Sequence, residues 1–108
     1  MSLILAAVLA CNLNALNHQE RTRLYARLDQ LSVAAANRQE LSGGYSWTID
    51  RQKMTIAEVG DWIALESRCC PFLSFAVELP AKGGIRLTLT GGEAVKEFIA
   101  AEMHKLPK

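Results

Sequence analysis

Two hydrophobic periods run through this chain. Residues 3–10, LILAAVLA, form one continuous apolar segment, which suits a buried strand or a short helix equally well. After the asparagine-rich stretch CNLNALN, Asn17 and Glu20 stand in capping-box order. Leu24, Leu28 and Leu31 then recur at helical spacing, predicting a helix from Asn17 to about Leu31. Gly43-Gly44 marks a turn. YSWTI beyond it alternates large and small side chains like a half-buried strand, with residues 34–41 as its hairpin partner. Thr55 and Glu58 form a second capping box. They open a helix on which Ile56, Val59, Ile63 and Cys70 share a face that Trp62 and Leu65 widen. Pro71 lacks the amide hydrogen a helix needs and disfavours helical geometry at the residue before it, so this helix should stop near Cys69 or Cys70. FLSFAVEL and IRLTLTG read as two strands around Lys82-Gly83-Gly84. Thr90 and Glu93 then open a last helix with Val95, Phe98, Ile99 and Met103 as its stripe.

The order is apolar segment, helix, hairpin, helix, hairpin, helix. It predicts a single α+β domain over residues 1–108, with about three helices on an antiparallel sheet. If residues 3–10 are a strand, the first six elements follow a ferredoxin-like split unit, and the sheet would be mixed.

Composition narrows the field. The chain of 108 residues is half apolar and about one fifth charged, with twelve basic and eleven acidic residues. That balance fits a globular core and excludes a disordered polyelectrolyte. Arg21, Arg23 and Arg27 cluster, but Glu20 and Asp29 dilute them, so no nucleic-acid footprint is expected. The start, MSLILAAVLAC, has the outline of a lipoprotein cleavage box ending at Cys11. No Lys or Arg precedes the apolar run, and the run is short for an export signal and far too short to span a bilayer, so a buried element without membrane association is expected. Three cysteines cannot complete a disulfide framework, which suits a reducing, cytoplasmic setting.

The candidate chemistry lies in LESRCCPF, residues 65–72. Glu66 is three and four residues before Cys69 and Cys70, so its carboxylate reaches either thiol along a helix. A carboxylate and a helix C-terminus both disfavour a thiolate, which argues against a spontaneously ionised nucleophile. A soft ion drives thiol deprotonation itself and is not subject to that objection. Adjacent cysteines suit tetrahedral zinc poorly. With Cys11 as a third sulfur and Glu66 as a further ligand, the set fits a trigonal soft ion or trivalent arsenic better. A disulfide between Cys69 and Cys70 would close a strained eight-membered ring. The plainer reading is that these cysteines pack as small apolar residues.

Glu66, Cys69, Cys70, Pro71, Phe72 and Phe75 spell Glu-x-x-Cys-Cys-Pro-Phe-x-x-Phe, and Leu87 to Gly91 follow as LTLTG. With Cys11 and Leu13 ahead of a helix bearing Arg21, this pattern resembles a group of small uncharacterised bacterial proteins over most of the chain. Some of that group are associated with mercury or arsenic resistance. The resemblance implies a bacterial protein with a three-cysteine site. Many of the group carry Arg directly after the glutamate, where this chain has Ser67, so a thiol-tuning cation here would have to be Arg68.

Three functions compete: soft metal or metalloid binding through Cys11, Cys69, Cys70 and Glu66; a structural homodimer joined through an apolar sheet face; and a thiol-dependent or organometal-processing enzyme with Glu66 as its acid. Binding without catalysis is the expected function. Tyr45 and Trp47 fall on one strand face and read as core or groove lining rather than a stacking platform for nucleic acid. His18 and His104 read as surface residues, Arg21 as a solvated helix position, and Gly91-Gly92 as a helix entry.

Overall fold

A computed structural model describes residues 11–108; the apolar run at 3–10, expected as a strand or helix, lies outside the described residues. After a short 3-10 helix, Leu13–Ala15, the elements are α1 (His18–Ala34), β1 (Ala35–Leu41), β2 (Gly44–Ile49), α2 (Ile56–Cys69), β3 (Ser74–Glu78), β4 (Ile85–Thr90) and α3 (Glu93–Glu102). The chain is an α+β domain whose sheet, in the order β1-β2-β4-β3, is antiparallel at every pairing.

Both capping boxes form. The Asn17 side chain accepts from the Glu20 amide while Glu20 accepts from the Asn17 amide, and Thr55 and Glu58 do the same for α2. Helix α1 continues past the expected end at Leu31. Ser-Val-Ala contains no breaker, and the extension buries Ala34. The third expected box does not form. Thr90 is still a strand residue, paired with Gly44 and Ser74, and Gly92 caps α3 without a side-chain bond.

Strand β1 is indeed the hairpin partner of β2, despite its alanines and asparagine. Its register slips by one residue between Ala36 and Gln39, where Asn37 adopts φ 57°. That is a β-bulge at a residue type that tolerates the left-handed region. At the other hairpin, Gly83 takes φ 90°, where a side chain would be strained.

Cross-strand pairs Trp47–Leu87, Tyr45–Leu89 and Ile49–Ile85 fix one sheet face as the core. Helix α2 reaches it through Trp62, edge-on to Phe75, and α3 through Lys96, above the Tyr45 ring. Trp47 is fully buried and its indole donates to the Pro107 carbonyl at 3.1 Å, so the aromatic pair is core, as expected. The opposite face presents Thr48, Arg86 and Thr88, with Ser46 buried between them, a polar surface rather than the apolar one a sheet-to-sheet dimer requires.

The buried stripe of α2 differs from the expected one. Val59, Trp62, Leu65, Glu66 and Cys69 are buried, whereas Ile56 is 42% exposed and Ile63 is half-buried. Cys70 is buried too, but it is the C-cap at φ −126° and ψ 69°, off the helical path. The helical step therefore no longer dictates where it points.

Candidate functional site

The end of α2 builds the site. The Cys70 amide donates to the Glu66 carbonyl at 2.8 Å, closing the last helical turn before Pro71 forces the chain away. The Asn12 amide donates to the Cys69 carbonyl, also at 2.8 Å, and this bond holds the Cys11 segment against the helix end. Two arginines clamp that segment from outside. Arg21 donates to the carbonyls of Leu13 and Leu16, and Arg68 donates to the Ala15 carbonyl and pairs with Glu20.

These contacts settle the two arginine questions. Arg21 is a strut of the 3-10 helix rather than a solvated position. Arg68 faces Glu20 and does not stand in for a cation beside the thiols. Arg23 and Arg27 are engaged with Asp61, and Arg27 also with Glu58.

All four sequence-nominated residues converge. One ligand atom from each of Cys11, Glu66, Cys69 and Cys70 lies within 4.8 Å of the others, three of the residues are buried, and the set is capable of holding a metal ion. Cys69 Sγ is 3.8 Å from Cys70 Sγ and 3.6 Å from Glu66 Oε1. His18 and His104 are exposed and take no part.

A disulfide joins Cys11 to Cys70, with Cα atoms 4.9 Å apart across a sequence separation of 59, and leaves Cys69 free. An odd cysteine count leaves one thiol over, but it does not exclude a single long-range pair. The bond avoids the strained vicinal ring.

A fifth residue, Glu102, was not nominated. It ends α3 and places Oε2 2.7 Å from Cys11 Sγ and 3.7 Å from Cys70 Sγ. The sequence does contain a signal for it. Val95, Ile99 and Glu102 are spaced so that the carboxylate interrupts an apolar helix stripe.

Electrostatically the cluster is acid-rich, and among the described residues no cation lies against it. Burial, then the negative Glu102 alongside, raises the Glu66 carboxyl to about 8, only partly offset by its bond from Cys69. Burial and the neighbouring Glu66 push the Cys69 thiol up to about 12. At neutral pH both groups hold their protons, and Cys69 is not an activated nucleophile. A cavity of about 120 Å³ adjoins the cluster, lined by Cys11, Glu66 and Glu102 together with apolar side chains of α1 and the 3-10 helix.

Fold and site together define a small α+β domain with a buried thiol–carboxylate cluster at the junction of two helix ends. No family model, curated protein or solved structure matches the chain. Among the described residues no helix is long and apolar enough to cross a membrane.

Proposed function

We propose that the chain in its reduced form binds a soft metal or metalloid ion through Cys11, Cys69 and Cys70, with Glu66 beside them. The observation that carries this reading is the convergence of three sulfurs and a carboxylate, from two segments far apart in sequence, within 4.8 Å. Charge then selects among ions. Three thiolates on As(III) make a neutral complex, whereas three thiolates and a carboxylate on Zn(II) leave two uncompensated negative charges. Burying those is costly where no cation among the described residues faces the site. If the chain belongs with the small bacterial proteins its motif resembles, the association of some of them with mercury or arsenic resistance is in keeping with this reading.

The thiolate is the ligand form, so the Cys11–Cys70 bond must be open for binding. A reducing, cytoplasmic setting supplies that condition. The homodimer reading draws no support from the polar outer sheet face. The enzyme reading draws none from a thiol whose proton is held so tightly.

The test is titration of the reduced, metal-free chain with As(III), Hg(II), Cd(II) and Zn(II), read by native mass spectrometry and ultraviolet charge-transfer absorption. One As(III) per chain is expected, weakened more than about a hundredfold by Cys11→Ala, Cys69→Ala or Cys70→Ala, beyond the range that loss of a ligand's supporting bond reaches. Equal absorption in the three variants would return the cysteines to a packing role.

A further inference from the structure

The cavity beside the cluster suggests which form of soft ion the site takes. Its apolar lining is Leu13, Leu24, Tyr25 and Leu28, and Cys11 belongs to both the lining and the cluster. At about 120 Å³ it approaches the size of an engineered apolar cavity of roughly 150 Å³ that admits benzene. A bare ion on the sulfurs leaves this space unused. An element that carries one small apolar substituent fills it.

We infer that the site accepts a thiophilic element bearing a single apolar substituent, with the element on Cys11 and Cys70 and the substituent between Leu13, Leu24, Tyr25 and Leu28. This rests on the soft-ion reading of the cluster. One carbon substituent on trivalent arsenic leaves two bonds for sulfur. Cys69 and Cys70 are both fully buried and neither lines the cavity, but Cys70 is the residue bonded to Cys11, which does line it, so the Cys11–Cys70 pair is the one that presents two sulfurs at the cavity wall. Reduction of the disulfide by a phosphine and water yields two thiols and the phosphine oxide. Arylarsonous acid then exchanges its two hydroxyls for the two thiolates, and each hydroxyl leaves as water with a thiol proton. Inorganic arsenous acid, with three hydroxyls, exchanges all of them and recruits Cys69 as well.

The experiment uses the full chain under phosphine reductant, with phenylarsonous acid and inorganic arsenite as probes. Each affinity is expressed relative to a small dithiol, so that intrinsic arsenic–sulfur strength cancels. Cys69→Ala should weaken arsenite by more than about a hundredfold and leave phenylarsonous acid within about threefold. Leu28→Trp, which fills the cavity, should do the reverse, costing the phenyl probe about tenfold through lost apolar burial. Should Leu28→Trp fail to fold, the wild-type chain decides the matter by preferring phenyl- over methylarsonous acid by about tenfold. Equal losses of both probes in Cys69→Ala, an unaffected phenyl probe in Leu28→Trp, or no phenyl preference in the wild type would each overturn the inference while leaving arsenite binding intact. Failure of the wild-type chain to bind arsenite would instead overturn the reading on which it rests.

Discussion

Helix α2 holds two glutamates in opposite electrostatic states. Glu58 sits in its first turn, bonded within the Thr55 capping box and reached by Arg27 of α1. A bond from Gln30, then the Thr55 amide, with Arg27 nearby, lowers its carboxyl to about 2. Glu66, about two turns on, is 4% exposed, with sulfur and a second carboxylate for neighbours, and is raised to about 8. Residue type and helix are the same. What differs is water, cations and the direction of the helix dipole, which favours negative charge at the first glutamate and opposes it toward the last. The domain sets one glutamate among a cap and a cation and the other among sulfurs and a second carboxylate.

The sharpest way to disturb the sulfur end alone is to reduce it. Opening the Cys11–Cys70 bond releases a long loop and should lower stability by about 2–4 kcal/mol, seen as a fall in the urea midpoint in reductant. No such fall should occur in Cys11→Ala, which has no bond to lose.

The second test is pH, because the two glutamates respond with opposite sign. Glu66 holds its proton more tightly folded than unfolded. Its contribution is therefore fully present below the unfolded value of 4.5 and is lost as pH rises through about 8. The loss should amount to roughly 5 kcal/mol in the oxidised chain, and Glu66→Gln should flatten this slope. Glu58 holds its proton less tightly when folded, so its contribution is present above 4.5 and is lost as pH falls toward about 2. Glu58→Gln should flatten the acid limb and leave the limb above neutrality unchanged.

Smaller effects sharpen the polar end. Thr55→Ala removes a cap and should cost about 1 kcal/mol in denaturant unfolding. Arg27→Ala breaks partly exposed pairs to Asp61 and Glu58, and should cost only about 0.5 kcal/mol, shrinking further in high salt. A larger loss at Arg27 than at Thr55 would mean that the ion pairs, not the cap, organise this end.

Local chemistry is what the sequence conveyed most clearly. Capping boxes, turn glycines and alternation are interactions among residues near in sequence, and they located three helices, four strands and the α+β class. They misplaced what tertiary context governs: the end of α1, the cap of α3, and the burial of Ile56 and Ile63. The site divides similarly. The spacing of Glu66, Cys69 and Cys70 already put a carboxylate within reach of two thiols, and the rarity of the pair drew attention to it.

Sequence alone therefore determined the helix end on which the chemistry stands, because a proline and a four-residue helical reach are local facts. Only the tertiary structure decided what meets there. Cys11 arrives through one backbone bond from Asn12, held by Arg21 and Arg68, and Glu102 arrives at the end of a helix packed on β2 and β4. Contacts between residues so far apart depend on how whole elements pack, and no local pattern encodes their distance. The protonation of Glu66 follows from that packing as well, since a carboxyl's affinity for its proton is set by the water and charge around it.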